Sequence, residues 1–187
     1  MAANTSPLII MSPYTINAPV TSALENLQHL LSTDLLPENE VYTVNRVLIY
    51  RLQTLVKQYS PQTIIALAIE ARAQPALRTV ALLLMRELIR CTHNTEQSQL
   101  IAPALVSIMR HPEDLTDFVD IYWLETKQPL TKQVKKAFTL ALQKFDDAQL
   151  AQCSNKQQRK LRDILRLVHP KPKTAAQANT WRLLTSA

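Results

Sequence analysis

The residues best suited to chemistry are cationic, and they recur along one predicted helix near the end of the sequence. At 100° per residue, segment 156–168 places its apolar residues on one side: Leu161, Ile164, Leu165 and Val168. The basic residues fall on the other side: Lys156, Arg159, Arg162, Arg166 and His169, with Lys160 at the flank. Because the planar fork of arginine matches phosphate geometry, such a row can follow a nucleic-acid backbone. Only Asp163 opposes these charges within the segment, so the pattern favours phosphate binding over a solvated polar face.

Two further basic groups flank this helix in the sequence. The segment after it is His169-Pro170-Lys171-Pro172-Lys173, in which the prolines stiffen the backbone and cannot continue a helix. Upstream, the spacing of segment 131–146 predicts one buried stripe: Val134, Phe138, Ala141, Leu142 and Phe145. Three lysines lie away from that stripe: Lys132, Lys135 and Lys136. Nucleic-acid contact and a solvated face explain these lysines equally well.

The net charge is concentrated in the last third of the sequence. The 187 residues carry a formal charge of +6. Residues 1–120 contain 8 Lys and Arg against 11 Asp and Glu, whereas residues 121–187 contain 13 against 4. A concentrated positive field attracts polyanions, because neutralising phosphates releases their condensed counterions. Charge excess alone fits a polyanion-binding surface and a solvated surface about equally.

The absence of glycine excludes several catalytic and nucleotide-binding loops. A Walker loop, a GxGxxG loop and a G-x-S-x-G nucleophile elbow all need glycine where the backbone approaches phosphate or turns sharply, and the sequence contains none. The four histidines and two cysteines lack the spacing of metal sites. No grouping of Ser, His and Asp indicates nucleophilic catalysis. We therefore expect no enzyme activity, no metal and no cofactor.

Helix-start signals divide the sequence into segments of ordinary helical length. Ser60-Pro61 combines an N-cap hydroxyl with proline at the first helical position, and His111-Pro112 is followed by two acids. We predict helices at 20–33, 40–58, 61–73, 76–91, 96–110, 113–124, 131–146, 156–168 and 174–185. Segments 63–69 and 80–85 are apolar nearly all round, so they must be covered on more than one side. The pattern favours an all-α fold, namely a HEAT-like helical-repeat solenoid formed by an arc of antiparallel helix pairs.

Further expectations concern domain organisation and location. Residues 1–19 contain three prolines and no positive charge before a short apolar run, so we expect a flexible segment and no signal peptide, followed by a single helical domain over 20–187. The apolar runs are far shorter than the roughly 20 residues of a membrane span. Cys91 and Cys153 suit free thiols in a reducing compartment. We expect a cytoplasmic protein without membrane contact.

Several stretches of the sequence carry a resemblance to a known family. In order, they are residues 65–72, 77–78, 82–88, 111–118 (HPEDLTDF), 122–123, 129–138, 144–146, 160–172 (KLRDILRLVHPKP), 177–178 and 181. They resemble the TROVE domain, the RNA-binding module of the Ro autoantigen and its bacterial orthologues. The resemblance covers about residues 45–185, which correspond to about the N-terminal half of the module. Full-length relatives continue with more repeats and a von Willebrand factor A-type domain, whose D-x-S-x-S motif this sequence lacks.

The resemblance implies a HEAT-like solenoid, closed in full-length relatives into a ring that binds single-stranded RNA ends in its hole and Y RNA on its outer basic surface. It implies RNA contact by five residues: Lys156, Arg159, Lys160, Arg166 and His169. Family members use a histidine at the position of His169, and a basic residue near Lys156, in Y RNA binding. Three lysines would contribute to single-strand binding: Lys132, Lys135 and Lys136.

Together, the residues and the resemblance predict a non-catalytic protein that binds structured small noncoding (Y-like) RNA or single-stranded RNA ends. The expected RNA-binding residues are Lys132, Lys135, Lys136, Lys156, Arg159, Lys160, Arg162, Arg166, His169, Lys171 and Lys173. Since an arc cannot thread RNA through a hole by itself, RNA would bind an open face, or a second copy or a partner protein would complete the ring. The alternative is a helical-repeat protein–protein interaction adaptor that binds through apolar grooves between helices.

Overall fold

The computed structural model describes residues 46–92, 95–126 and 130–186, together with Glu25 and Leu27. Over these ranges the chain forms α-helices and one short 3-10 turn, without a β-strand. The helices are α1 (Arg46–Gln58), α2 (Pro61–Ala73), α3 (Arg78–Cys91), α4 (Thr95–Gln99), α5 (Ile101–Ile108), α6 (Pro112–Thr126), α7 (Lys132–Lys144), α8 (Asp147–Ala151), α9 (Asn155–Val168) and α10 (Ala175–Ser186). The predicted all-α class is confirmed. Its arrangement as a HEAT-like solenoid stays a prediction.

Part of the N-terminal prediction lies outside the described residues. Of the predicted helix 20–33, only Glu25 and Leu27 are described; both are helical, and Leu27 is buried. The predicted flexible segment 1–19 lies outside the described ranges altogether. The single domain over 20–187 stays a prediction.

The predicted helix 96–110 is wrong as one continuous element. The structure ends α4 at Gln99 and begins α5 at Ile101. Pro103 explains the break, because its ring has no N–H and would collide with the carbonyl four residues earlier, that of Gln99. As the third residue of α5, it needs no intrahelical donor. The prediction also missed α8, which begins with a capping box at Asp146.

The core surrounds α3, in which every residue from 80 to 89 is buried. Helices α1 and α2 pack along α3, and α5 and α6 contact it as well, which provides the coverage predicted for apolar segment 80–85. The stripe predicted for α7 is buried, and so are Leu161, Ile164 and Leu165 of α9, with Val168 half-buried. Phe118 of α6 meets Phe138 of α7 edge to face, with ring centroids 6.1 Å apart.

A charged pair is enclosed in this core. Arg86 and Glu87 of α3 have side chains 0 % and 1 % exposed, and Arg86 Nη2 lies 2.6 Å from Glu87 Oε1. Gln53 Nε2 of α1 donates a hydrogen bond to Glu87 Oε2 at 3.0 Å, and Arg86 Nη1 donates to the carbonyl of Ile121 in α6 at 3.4 Å. Because a buried charge is tolerated only with partners, this pair fixes α1 and α6 relative to α3.

Asp114, the third residue of α6, is fully buried and accepts hydrogen bonds from four donors. Arg72 Nη2 donates to Oδ2 and Arg78 Nε donates to Oδ1, both at 2.7 Å. The backbone N–H groups of Arg110 and His111 donate to Oδ2 at 2.9 Å each. Burial acts to raise the pKa of this carboxyl, but the hydrogen bonds from Arg72 and His111 and the charges of Arg78 and Arg72 lower the pKa below its ordinary value. The carboxylate thus stays ionised inside the fold.

We expect Asp114→Asn to lower the free energy of unfolding by about 3 kcal/mol, because two arginines then lose a buried counter-charge. Asp117→Asn is the matched control, since Asp117 pairs with Arg78 at 2.9 Å but its side chain is 18 % exposed; a loss of about 1 kcal/mol is expected. Urea denaturation followed by circular dichroism measures both. Equal losses for the two variants would contradict the central role of Asp114.

The lowered pKa of Asp114 predicts a pH dependence with a definite sign. A carboxylate whose folded-state pKa lies below its unfolded value of about 3.9 contributes fully above that value and loses its contribution as pH falls through the folded-state pKa. The stability difference between wild type and Asp114→Asn should therefore shrink by about 1 kcal/mol between pH 5 and pH 3. Urea titrations of both proteins at each pH measure the difference. A gap that is constant or widens toward acid would refute the assignment.

Candidate nucleic-acid interface

Helix α9 carries most of the candidate cations, and local hydrogen bonds fix where it starts. Ser154 Oγ accepts from the backbone N–H of Gln157, and Gln157 Oε1 accepts from the backbone N–H of Ser154 at 2.8 Å, which completes a capping box. The apolar side of α9 packs against α10, α6 and α7. The opposite side is therefore directed to solvent.

Lys156 and Arg159 are the basic residues of α9 that are fully available to a ligand. Both are exposed, and neither has a side-chain hydrogen bond or ion pair with another residue of the described ranges. Asp163, the acid of this helix, is exposed and pairs with neither Arg159 nor Arg166. The positive charge at the start of α9 is thus not neutralised within the described part of the chain.

Arg162 and Arg166 have a structural contact that the sequence analysis missed. Arg162 Nε donates to the carbonyl of Leu184 at 2.9 Å, and Arg166 Nη2 donates to the carbonyl of Thr185 at 3.4 Å. These carbonyls lie in the last turn of α10, where backbone oxygens lack intrahelical donors and the helix dipole is negative. The two arginines therefore cap α10, and only Arg166 is also exposed.

Lys160 has a partner on another helix. Its Nζ forms an ion pair with the carboxylate of Asp120 on α6, and both side chains are about one-quarter exposed. The pair joins α6 to α9. To bind a phosphate group, the ammonium group of Lys160 would have to leave the Asp120 carboxylate or contact both anions at once.

His169 ends α9 in the left-handed region, with φ 46° and ψ 53°, and its N–H donates to the carbonyl of Leu165 at 3.0 Å. It is the one non-glycine residue with positive φ in the described ranges. Glycine usually takes this position at a helix end, whereas a β-carbon there costs about 1–2 kcal/mol. The conformation holds an exposed imidazole just beyond the basic row.

The segment after His169 is anchored through its backbone. Gln143 Nε2 of α7 donates to the carbonyl of Lys171 at 2.8 Å, and Gln177 Oε1 of α10 accepts from the N–H of Lys173 at 2.8 Å. The side chains of Lys171 and Lys173 are exposed. Two more cations are thereby held near the end of α9 without using their ammonium groups.

The three lysines of α7 form a separate group near the start of that helix. All three are exposed: Lys132, Lys135 and Lys136. Lys132 and Lys136 border an open depression between α5 and α7, together with Pro103 and Leu140. Lys136 precedes Gln143 by two turns, roughly 10 Å along the axis, so this group lies away from the anchored segment. The structure thus divides the candidate residues into two groups, and does not gather them into one.

Other candidate groups have ordinary structural places. Tyr122 and Trp181 are buried in the core and are not available to stack on a base. Cys91 and Cys153 are free thiols, as predicted. Among the described residues, no cluster of three or more His, Cys, Asp or Glu could hold a metal ion. None of the described helices is long and apolar enough to cross a membrane.

The family model of the TROVE domain matches residues 19–186 of the chain. The chain belongs to the TROVE-domain family. The TROVE domain is found in Ro RNA-binding proteins, so membership supports an RNA-binding role, in a family that is generally non-catalytic. No curated protein and no solved structure matches the chain.

The backbone of His169 allows a test that separates conformation from chemistry. Asn tolerates positive φ, whereas a β-branched residue does not. We expect His169→Asn to keep the free energy of unfolding within about 0.5 kcal/mol of wild type and His169→Val to lower it by about 1–2 kcal/mol. Thermal and urea denaturation measure both. Equal stability of the two variants would show that the left-handed conformation is not required.

Proposed function

We propose that this TROVE-domain protein binds RNA through the basic surface of α9 and the segment after it, without catalysis. The observation that carries the proposal is the pair Lys156 and Arg159, which are exposed and unneutralised on a helix whose other side is locked into the core. Counterion release by a phosphate backbone would supply most of the binding free energy. The excess of Lys and Arg over Asp and Glu in residues 121–187 supports the same proposal.

We rank the candidate residues by the contacts that each would give up to bind a phosphate group. Lys156 and Arg159 give up only water. At Arg166 a phosphate would compete only with a long hydrogen bond to a carbonyl, and the guanidinium has further N–H donors for phosphate. Arg162 and Lys160 are held more firmly, by a 2.9 Å hydrogen bond and by an ion pair. We propose that Lys156, Arg159 and Arg166 make the main phosphate contacts, with weaker contributions from Arg162 and Lys160.

His169, Lys171 and Lys173 extend this surface beyond the helix. Their backbone is fixed, so binding costs little ordering entropy of the main chain. We propose that structured, Y-like RNA lies along α9 and this segment, and that the lysines of α7 (Lys132, Lys135 and Lys136) form a second contact for single-stranded ends. Ring completion by a second copy or a partner protein would bring further surface to the same RNA.

The alternative function is a helical-repeat adaptor that binds protein. The observation in its favour is the depression between α5 and α7, where Leu140 is 36 % exposed beside Pro103. Salt separates the two functions, since RNA binding weakens steeply as salt rises, whereas a contact with this apolar floor changes little.

We expect Lys156→Ala/Arg159→Ala to weaken binding of a Y-like stem-loop RNA by about tenfold at physiological salt. Loss of two phosphate contacts should also reduce the slope of log K against log salt by about 1.5. An electrophoretic shift assay at several salt concentrations measures both quantities, and circular dichroism should show unchanged helicity.

The matched control for this double variant is Lys57→Ala/Arg110→Ala, which removes the same charge from exposed positions outside α9. Its affinity should remain close to that of wild type. Equal weakening by the two double variants would mean that net charge, and not the α9 surface, governs binding. An unchanged affinity of Lys156→Ala/Arg159→Ala for the RNA would refute the proposed interface.

A further inference from the structure

A polar cavity of about 250 Å³ opens to solvent where α6, α8 and α9 begin. Its lining residues are His111, Pro112, Glu113, Gln149, Gln152, Cys153 and Gln157. None of these residues belongs to the basic surface of α9 or to the lysine group of α7. Their neutral amides, one carboxylate and one imidazole differ chemically from a phosphate-binding site.

The two glutamines in the cavity are oriented before any ligand arrives. Each is the third residue of a helix and closes a capping box: Gln149 Oε1 accepts from the N–H of Asp146 at 3.1 Å, and Gln157 Oε1 accepts from the N–H of Ser154 at 2.8 Å. Because the oxygen of each amide is identified by its donor, the Nε2 groups are fixed as donors on the opposite edge. Gln149 Nε2 lies 3.5 Å from His111 Nδ1, and Gln157 Nε2 has no partner among the described residues.

Glu113 supplies the complementary acceptor. Its side chain is exposed, and the carboxylate has no hydrogen bond or ion pair within the described ranges. It lies near Cys153, whose thiol pKa is raised by burial and, to a smaller extent, by the charge of Glu113. The cavity therefore contains a carboxylate with two free acceptor oxygens and two preoriented amide donors.

This arrangement matches one nucleobase edge better than the others. Guanine presents two adjacent donors, N1–H and the N2 amino group, which fit the two oxygens of a carboxylate, and its O6 and N7 accept from N–H donors. Adenine and cytosine place an acceptor beside their single amino group, and uracil flanks its one N–H with two carbonyls. On each of these three bases, an acceptor lone pair would face a carboxylate oxygen and be repelled by it. The exposed imidazole of His111 offers a surface on which a base can stack.

We propose that this cavity binds an unpaired guanine base of the RNA, an inference that rests on the proposed function. Glu113 accepts from N1–H and N2–H, while the Nε2 groups of Gln149 and Gln157 donate to the carbonyl edge. Gln157 follows Lys156 directly in α9, so a base in the cavity and a phosphate on the basic surface belong to the same stretch of strand.

The first test is a titration of the isotope-labelled full chain with GMP, AMP and UMP, followed by NMR of the glutamine side-chain amides. GMP should shift the amide signals of Gln149 and Gln157, and the other two nucleotides should shift them little. Glu113→Gln should weaken GMP binding by about tenfold, since a bidentate base contact is lost. Asp163→Asn is the control, because it removes an exposed acid of α9 outside the cavity and should bind GMP like wild type. Equal shifts with all three nucleotides, or full affinity in Glu113→Gln, would overturn the assignment.

The second test separates the cavity from the basic surface. Two single-stranded RNAs of equal length, one with a central guanine and one with adenine there, are compared by electrophoretic shift. Wild type should prefer the guanine strand by about tenfold, and Glu113→Gln should lose the preference while still binding both strands. Equal binding of the two strands by wild type overturns the guanine site and leaves the proposed function intact. Binding of GMP without binding of any RNA overturns the proposed function and reassigns the cavity to a free guanine nucleotide.

Discussion

The buried carboxylate of Asp114 is the contact on which the arrangement of the described helices depends. Its donors come from α2, from the first residue of α3 and from the connection between α5 and α6, so one side chain fixes the start of α6 against three other segments. Helix α6 in turn contacts α7 through Phe118 and α9 through Asp120. The position of α6 therefore determines where these two helices lie. A carboxylate removed from water is stable only when donors surround it, which explains why segments far apart in sequence converge there.

A second constraint is the lack of glycine. Several helices end on an extended residue, namely Gln74, Thr92 and Phe145, which needs no positive φ. His169 departs from this pattern, since it keeps a left-handed conformation despite its β-carbon. Strain of this kind persists where the surroundings hold it, and it is concentrated at functional sites. The bonds of Gln143 and Gln177 to the following segment provide that support, so the exposed imidazole occupies a fixed place at the end of the basic row.

The helical class, most helix positions and the buried stripes of α7 and α9 follow from periodicity and start signals, because these depend on residues within one or two turns. The helix break at Leu100 could also have been predicted from the sequence, because Pro103 explains it. The roles of the polar residues could not be predicted in this way. Asp114 and Glu113 were both interpreted as favourable charges in the first turn of a helix, yet Asp114 is buried and Glu113 is exposed. Likewise, periodicity put Lys160 and Arg162 on the basic side of α9, but their partners, Asp120 and Leu184, lie on other helices. Such partners are set by tertiary packing, which no local pattern contains.

The capping box at the start of α9 links the two proposed RNA contacts. The bond between Ser154 and Gln157 starts the helix and so determines where Lys156 and Arg159 project. The same bond orients the amide of Gln157 in the cavity beside Glu113. Because Gln157, Lys156 and Arg159 lie on one helix that packs into the core, an amide contact at Gln157 and a phosphate contact at the two cations are held at a fixed distance from each other. A strand bound at one contact therefore meets the other without further ordering of the protein, which is the condition under which base recognition adds to affinity instead of being offset by entropy.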